Sequence, residues 1–300
     1  MLVPGTSGAD KKREETRVEK LADGYGLIEG PVWDPARGLL YADVINGGVF
    51  CLDGGGKVSQ LIEHRRGIGG MALHADGGLV VGGRNIAYKP ADGGATQVIL
   101  DSDPDSGILG FNDLTTDAAG RIYVGSLAFR PVGADDEPKP GLLFCIDLDG
   151  SARVVGQDVW LTNGLAVSPD GRRLYHSESR KNRVRVYDVD RDGSLSPPRT
   201  FATVEPGIPD GLVVAEDGSV WVAVADGARV DVFEPDGSPS MQIVCPLPMV
   251  TSVCFGGADL RDLYVVTGSR GAGGENRGAV FRVRTEVAGL PVPLAQVRHG

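Results

Sequence analysis

The sequence predicts an all-β fold, a six-bladed β-propeller whose last blade is closed by an N-terminal strand. Three observations lead to this prediction. One segment, an apolar strand followed by a polar turn and a second strand, occurs six times along the 300 residues. The turn glycines of the first five copies follow one another at intervals of 40 to 51 residues, the period of four-stranded propeller blades. The 45 Gly and 19 Pro are spread over the chain, as expected for short strands joined by tight turns.

The six copies share one order of features. Each begins with a small or polar residue, continues as an apolar strand and passes through a polar turn into a second strand. A further hairpin follows in most copies, with DG or DGS turns between alternating β-branched residues. The copies are EGPVWDPARGLLYAD from Glu29, GGMALHADGGLVVGG from Gly69, NDLTTDAAGRIYVGS from Asn112, NGLAVSPDGRRLYHS from Asn163, DGLVVAEDGSVWVAV from Asp210 and TSVCFGGADLRDLYVV from Thr251.

The last copy is incomplete, because it ends at GAVFRVRT without an obvious fourth strand. The segment TRVEKLADG near the N-terminus has the composition of the missing strand. We therefore predict that residues near 16–23 pair with the last blade, which removes the open edge between the first and last sheets. In this interpretation residues 16–300 form one propeller domain, and the polar residues 1–15 form a disordered leader.

Composition restricts the partners. The formal net charge of −10 argues against nucleic acid, whose binding depends on clustered Lys and Arg. No stretch approaches the roughly 18 to 20 apolar residues that cross a bilayer, and the N-terminus lacks a signal-peptide core. We expect a cytoplasmic protein without a membrane partner, and reduced, buried thiols at Cys51, Cys145, Cys245 and Cys254. Nothing in the sequence predicts the oligomeric state.

The first residue of each copy points to a site. The innermost strand of every propeller blade lines the central channel, so the first residues of the copies face one mouth. These residues are Glu29, Gly69, Asn112, Asn163, Asp210 and Thr251. Two carboxylates and two carboxamides, with no Lys or Arg in the same ring, would repel one another unless a cation neutralised them. Oxygen ligands select Ca²⁺, Mg²⁺ or Mn²⁺, although Zn²⁺ can also occupy such a site.

A purely structural interpretation also exists. Asn163-Gly164 and Asp210-Gly211 are strong turn dipeptides, and Glu29-Gly30-Pro31 has the composition of a strand entry. Any single copy is explained well by turn formation. Four oxygen-bearing residues in the same phase of four copies favour a metal site instead.

The same segments resemble the senescence-marker-protein/gluconolactonase (SGL) family, which includes regucalcin and bacterial sugar lactonases. The resemblance rests on EGPVW, FNDLTTDAAGRIYVG, TNGLAVSPDGRRLY, IPDGLVVAEDGSVWVA and VTSVCFGG and spans about residues 16–285. It implies a six-bladed propeller with one divalent cation at the channel mouth, Ca²⁺ first, with Zn²⁺, Mn²⁺, Mg²⁺ or Fe²⁺ as alternatives. It also implies Glu29, Asn163 and Asp210 as metal ligands, and Asn112 beside the cation in contact with the substrate.

Two positions depart from the family pattern. The Arg that stands two residues before the Asn of the FND motif in gluconolactonase-type members is here Gly110. A loop acid of those members is here Arg130. We therefore expect a lactone other than gluconolactone, either less polar or carrying a carboxylate that pairs with Arg130. Residues 126–140 are expected to form a lid over the pocket.

The resulting functional hypothesis is metal-dependent hydrolysis of a small-molecule lactone. Asp210 would act as general base on a water molecule, or as a nucleophile, and Asn112, Asn163 and Arg130 would bind the substrate. Two other functions stay open at this point: a non-enzymatic calcium-binding scaffold, and a metal-dependent hydrolase of phosphotriesters. The fold by itself does not decide among them.

Overall fold

The computed structural model describes residues 17–131 and 136–300 as six four-stranded antiparallel sheets. The predicted leader, residues 1–15, lies outside the described residues. Strand β1 (Val18–Tyr25) is the outermost strand of the sixth blade. The first three blades follow in chain order, each written from the channel outward. They are β2 (Ile28–Asp34), β3 (Gly38–Asp43), β4 (Val49–Leu52) and β5 (Val58–Ile62); β6 (Met71–Leu73), β7 (Leu79–Val81), β8 (Ile86–Lys89) and β9 (Gln97–Leu100); and β10 (Gly110–Thr116), β11 (Ile122–Leu127), β12 (Gly141–Ile146) and β13 (Ala152–Val159).

The second half of the chain repeats this arrangement. The helical segments of the described residues are two short 3-10 helices, Pro104–Ser106 and Ser179–Lys181. Neither is long and apolar enough to cross a membrane. The remaining blades are β14 (Thr162–Val167), β15 (Arg173–Glu178), β16 (Arg183–Asp188) and β17 (Arg199–Thr203); β18 (Ile208–Val214), β19 (Val220–Ala225), β20 (Arg229–Phe233) and β21 (Pro239–Val244); and β22 (Val250–Gly256), β23 (Asp262–Thr267) and β24 (Gly278–Arg284), to which β1 is added.

The innermost strands form a closed ring. Strand β2 contacts β6 and β22, β10 contacts β6 and β14, and β18 contacts β14 and β22. Closure depends on the N-terminal strand, since β1 pairs antiparallel with β24 from Val18 opposite Val283 to Tyr25 opposite Gly278. The predicted six-bladed propeller and its closing strand are therefore confirmed.

A bulge interrupts the inner strand at the same place in five blades. Its register against the second strand slips within the spans Glu29–Val32, Phe111–Leu114, Thr162–Leu165, Pro209–Leu212 and Val250–Ser252. A bulge bends its strand and re-aims the side chains beside it. The first residues of the repeats lie in or beside these bulges, so their side chains are directed by the irregularity and not by the regular alternation of the strand.

Apolar side chains fill the space between blades. Most of them are Val, Leu, Ala and Ile, because the chain has few aromatic residues. At the seam between the first and last blades, Trp33 stacks on Tyr264 with ring centroids 5.5 Å apart. All four cysteines are buried and free, as expected from the sequence. Cys51 lies in β4 and Cys145 in β12, so these two belong to different blades.

The C-terminal segment, residues 287–300, crosses the end of the channel opposite the bulges. It contacts the turns that join first and second strands: Gly289 N donates to Leu260 O at 2.7 Å, and Glu216 N donates to Ala288 O at 2.9 Å. Further along, Ala295 N donates to Leu73 O at 2.8 Å. The segment thereby connects the turns of the sixth, fifth and second blades. The channel consequently has one end covered by this segment and one end lined by the bulged inner strands.

Candidate metal centre and active site

The bulges bring two predicted carboxamides into direct contact at the mouth. Asn112 Nδ2 donates to Asn163 Oδ1 at 2.7 Å and also to the Thr162 carbonyl oxygen at 2.7 Å. Because a carbonyl oxygen can only accept, the Thr162 contact fixes which end of the Asn112 amide is nitrogen. Asn163 Nδ2 in turn donates to Ser179 Oγ at 2.7 Å. Both amides therefore use their NH₂ groups on protein partners, which leaves lone pairs on the two Oδ1 atoms.

Glycine at the neighbouring ring position makes room for this arrangement. A Cβ atom on Gly69 would overlap Asn112 Oδ1, so any larger residue there would push the amide aside. Gly69 is thus the ring member that provides space. Its own lack of a ligand atom is explained by the side chain that lies over it.

Neither of the two predicted carboxylates accepts a hydrogen bond from another side chain among the described residues. Asp210 is buried and its Oδ1 atom has no partner. Glu29 is half-buried at the start of the first bulge. Burial, followed by the charges of Asp210 and Asp113, raises the pKa of Glu29 well above its ordinary value. Burial, followed by the charge of Asp113, raises the pKa of Asp210 in the same way. Burial and like charge therefore both disfavour the ionised form of these carboxylates.

A third carboxylate belongs to this group, although the sequence interpretation did not include it. Burial raises the pKa of Asp113 to about 7. Its Oδ1 atom accepts from Leu114 N at 2.8 Å and lies 2.6 Å from where a Cβ on Gly70 would be. A signal for it exists in the repeats, since the second residues of the six copies are mostly glycine. They are Gly30, Gly70, Asp113, Gly164, Gly211 and Ser252.

The sixth ring position has a structural role. Thr251 is fully buried, and its hydroxyl is 2.6 Å from the Ile28 carbonyl oxygen and 3.1 Å from the Val266 carbonyl oxygen. Both acceptors are backbone atoms, one in the first blade and one in the sixth. The side chain therefore joins the blades at the closing seam and does not offer its oxygen to the cluster formed by the others.

Behind the carboxamides lies a buried network that supports them. Ser179 Oγ donates to the Pro209 carbonyl oxygen at 2.7 Å, which links Asn163 to the strand that carries Asp210. His176 Nε2 is 3.1 Å from Thr162 Oγ1 and the imidazole is fully buried. Burial, followed by the charges of Arg185 and Arg183, lowers the pKa of His176 to about 3, so the ring is neutral. His176 therefore packs behind the inner strand and does not line the channel.

Arg130 pairs with an acidic residue of its own loop. Its Nε and Nη2 atoms both donate at 2.8 Å to the two oxygens of Asp136, while its side chain stays 68% exposed. It lines a surface depression with Leu109 and Phe129, and none of the four channel residues lines that depression. The predicted lid is described except for residues 132–135, and Phe129 within it lies under the Arg180 guanidinium at 5.5 Å.

The donor set fits a divalent cation. It combines the unpartnered, buried Oδ1 atom of Asp210 with the Glu29 carboxylate, which accepts from no side chain. The amide oxygens of Asn112 and Asn163 add neutral donors, since the NH₂ groups of both amides are bonded to protein oxygens. A hard cation would neutralise the charge of these desolvated carboxylates, and oxygen ligands are what such ions prefer. Arg270 is the protein cation that partly offsets the charge of Asp210, but its guanidinium forms an exposed ion pair with Asp226 at 2.8 Å. Its charge lowers the pKa of Asp210 only in part.

Known proteins share both the sequence and the fold. The chain is 32% identical over 291 residues to pentonolactonase XacC of Haloferax volcanii, covering 91% of this chain and 96% of that protein. It is 33% identical over 282 residues to 6-deoxy-6-sulfogluconolactonase of Pseudomonas putida, covering 89% and 94%. A solved luciferin-regenerating enzyme superimposes with a TM-score of 0.83 at 28% identity, covering 94% of this chain and 99% of that one. The sequence model of the SMP-30/Gluconolactonase/LRE-like region matches residues 27–269, and the chain therefore belongs to this family, as the motifs indicated.

Proposed function

We propose that this protein is a divalent-cation-dependent hydrolase that opens a lactone, with its active site at the bulged mouth of the propeller. The observation that carries the proposal is that half-buried Glu29 and buried Asp210, neither of which accepts from a side-chain donor, share the mouth with the paired amides of Asn112 and Asn163. Relatives that cover nearly the whole chain, pentonolactonase and 6-deoxy-6-sulfogluconolactonase, carry lactonase names and support the same chemistry.

Glu29, Asn163 and Asp210 would hold the cation, with Asn112 beside it. Calcium is the first choice, because the donors are all oxygen and two of them are anionic; Mg²⁺, Mn²⁺, Zn²⁺ and Fe²⁺ are the alternatives. When bound, the cation supplies Lewis acidity that polarises the lactone carbonyl and stabilises the developing oxyanion.

The chain's own residues would then do the remaining work. Asp210 carries the unpartnered Oδ1 atom, which can accept a proton from the attacking water as a general base. Direct attack by Asp210 as a nucleophile is the alternative role. Asn112 has both NH₂ hydrogens directed at protein oxygens, so it would meet the substrate through Oδ1, as an acceptor for a substrate hydroxyl.

The substrate is proposed to be a lactone other than gluconolactone. Gly110 offers no side chain where gluconolactonase-type relatives are expected to carry Arg, so that contact to sugar hydroxyls is missing. Arg130 could still bind a substrate carboxylate, but it would have to share its guanidinium with Asp136. A substrate carboxylate that replaces Asp136 would gain a two-bond contact of the same geometry.

The test is turnover before and after chelation, measured on a panel of lactones and a panel of phosphotriesters. We expect lactone hydrolysis that is lost on chelation and restored by calcium. Glu29→Gln, which keeps the size of the side chain and removes its charge, should not be restored at the same calcium concentration. The matched control is Glu63→Gln, since the Glu63 side chain is 75% exposed and lies outside the site.

Three outcomes would overturn the proposal. A calcium-binding scaffold would change its melting temperature on chelation without turning over any lactone. A phosphotriesterase would lose turnover on chelation but prefer the phosphotriester panel, because a phosphoryl oxygen can take the place of the carbonyl oxygen. Full lactone turnover in Glu29→Gln would remove the assigned site.

A further inference from the structure

A second group of potential metal ligands lies at the covered end of the channel. His74 and Asp76 belong to the turn between β6 and β7, and His299 belongs to the C-terminal segment that crosses this end. His299 Nε2 is 2.9 Å from Asp76 Oδ2, and His74 Nδ1 is 3.6 Å from the same oxygen. The three ligand atoms lie within 4.8 Å of one another. No other group of three or more His, Cys, Asp or Glu residues in the described ranges meets this condition.

The far nitrogen of each imidazole is bound to a carbonyl-type oxygen. His74 Nε2 is 3.0 Å from the Val297 carbonyl oxygen, and His299 Nδ1 is 2.6 Å from Gln97 Oε1. An oxygen of this kind accepts, so each far nitrogen carries the hydrogen and donates it. The lone pair of each near nitrogen is then left on the side of Asp76. Metal-bound histidines are held in the same way, by a carbonyl or carboxylate on the other ring nitrogen.

The near nitrogens have weak or unfavourable partners without a cation. His74 Nδ1 accepts only from Asp76 N, at 3.1 Å. His299 Nε2 faces the Asp76 carboxylate, and a lone pair facing an anion at 2.9 Å is repulsive unless a proton or a metal ion lies between them. The rings are also held in place, since His299 stacks on Tyr88 with centroids 3.6 Å apart and His74 packs edge-on against Tyr88 at 5.0 Å.

The spacing is close to that of a tetrahedral zinc site. Ligand atoms about 2.0–2.1 Å from a tetrahedral zinc ion are roughly 3.3 Å from one another. Two of the separations here are 2.9 and 3.6 Å, and the third is no longer than 4.8 Å. The Asp76 side chain is 63% exposed, which leaves space for water as the fourth ligand.

We propose that His74, Asp76 and His299 form a binding site for a zinc-class transition metal ion that fastens the C-terminal segment to the second blade. Two imidazoles and one carboxylate select Zn²⁺ and its neighbours Ni²⁺, Co²⁺ and Cu²⁺ over Ca²⁺ and Mg²⁺. The site is independent of the channel mouth, because its residues come from the opposite end of the inner strands. Because two of the ligands are close in sequence and the third is at the end of the chain, the bound ion would tie down residues 295–300.

The experiment titrates zinc chloride into the calcium-saturated protein at neutral pH and follows the heat of binding. Calcium occupies the oxygen donors of the mouth, so zinc should report on the second site. We expect one zinc ion per chain and a melting-temperature rise of roughly 3–8 °C at saturation. Zinc should also slow the release of the last residues by a zinc-independent carboxypeptidase, which a site unrelated to the C-terminal segment would not do.

Two of the ligand residues can be changed without disturbing the hydrophobic core. His299→Gln and Asp76→Asn change residues at the end of the chain and in an exposed turn, and each should weaken zinc binding by at least about tenfold, the effect of losing even an outer hydrogen-bond partner. His64→Gln is the matched control, because the His64 side chain is 91% exposed and lies elsewhere. Glu29→Gln should bind zinc as the unmodified protein does.

Three results would overturn the proposal. The first is no zinc binding by the calcium-saturated protein. The second is unchanged zinc affinity in His299→Gln and Asp76→Asn. The third is zinc binding that is lost in Glu29→Gln and kept in His299→Gln, which would place the ion at the mouth. None of these results depends on lactone turnover, so failure here leaves the proposed activity to its own test.

Discussion

The two ends of this propeller offer different ligand chemistry. At one end, bulges in the inner strands bring together carboxylates and amide oxygens from Glu29, Asn112, Asn163 and Asp210. At the other, one turn and the C-terminal segment bring together two imidazoles and one carboxylate. Oxygen donors prefer hard ions such as Ca²⁺, whereas imidazoles prefer zinc-class ions. The difference shows that the type of ligand depends on the local segment that carries it, a bulged strand at one end and a turn with the C-terminal segment at the other, and not on the propeller fold.

The two ends also differ in the number of carboxylates that lie together and in the hydrogen-bond partners of their ligands. Burial raises the pKa values of the three carboxylates at the mouth, and the charge of Asp113 raises those of Glu29 and Asp210 further. The covered end has one carboxylate, and both of its imidazoles have hydrogen-bond partners. A cation should therefore matter for activity and for pH dependence at the mouth, and for anchoring of the chain at the covered end.

The largest expected effect is the loss of activity in a variant at the mouth, compared with a variant of an exposed acidic residue nearby. Asp210→Asn removes the buried anionic ligand and the proposed base, so kcat/KM for a lactone should fall by about 10³-fold or more. Asp226→Asn breaks the exposed pair with Arg270 and removes a charge that is a lesser cause of the raised pKa of Asp210, so it should change kcat/KM by less than about tenfold. Steady-state kinetics at saturating calcium provides the comparison. Equal losses in both variants would mean that the mouth is not the reactive centre.

The next effect tests the space that glycine leaves at the mouth. Gly69→Ala would place a Cβ where Asn112 Oδ1 lies, and a displacement of about 1 Å in a positioning group can cost roughly 10²-fold in rate. Gly54→Ala is the matched control, because a Cβ atom on Gly54 would meet nothing within 4 Å. The measurement is kcat/KM together with the melting temperature. Normal turnover in Gly69→Ala would show that Asn112 need not stay where it is.

A third effect concerns pH and the stability of the chelated protein. The pKa of Asp113 is raised from its ordinary 3.8 to about 7, so its contribution to stability is present at low pH and is lost as the pH rises towards and through 7. Asp113→Asn removes this dependence. Above pH 7 the chelated variant should be more stable than the chelated wild type by up to roughly 4 kcal/mol, the equivalent of that pKa difference.

Denaturant unfolding at several pH values measures this difference, and the sign is the decisive feature. Asp113→Asn that is less stable than wild type above pH 7, with metal removed from both, would contradict the idea that burial at the mouth destabilises the charged form of Asp113. Calcium should narrow the difference, since the ion stabilises the charged carboxylates of the wild type.

The smallest effect tests the ring member that does not serve the mouth. Thr251→Val removes the hydroxyl that reaches the carbonyl oxygens of Ile28 and Val266 and should lower the free energy of unfolding by about 1–3 kcal/mol. Turnover of the folded variant should stay within about twofold of wild type. A large loss of kcat with unchanged stability would assign Thr251 to the active site instead.

Much of this arrangement follows from repetition in the sequence. Six copies in phase predict six blades, and the incomplete sixth copy predicts that residues near 16–23 close the ring, as β1 does. The same phase predicts which residues meet at the mouth, because equivalent positions in a symmetric ring share one axis. The first positions of the copies do not point to Asp113; the second position does, because it is glycine in four copies and Asp113 stands out there.

Other features have no periodic signal. The hydroxyl of Thr251 turns to the closing seam because of the hydrogen bonds available there, which the repeat phase does not encode. The Arg130–Asp136 pair forms within a loop that belongs to one blade only. His74 and His299 each contact a partner 223 residues away in the sequence, so no spacing motif could indicate them. Long-range contacts of irregular segments need the folded chain.

The central claim is that the oxygen donors at the mouth hold one cation on which lactone opening depends. The most direct measurement is a calorimetric calcium titration of chelated protein, with lactone turnover recorded at each point. The account predicts one calcium ion per chain and turnover that rises in proportion to its occupancy, with both lost in Asp210→Asn. Turnover that is already complete before calcium is added, or calcium binding that leaves turnover unchanged, would contradict it.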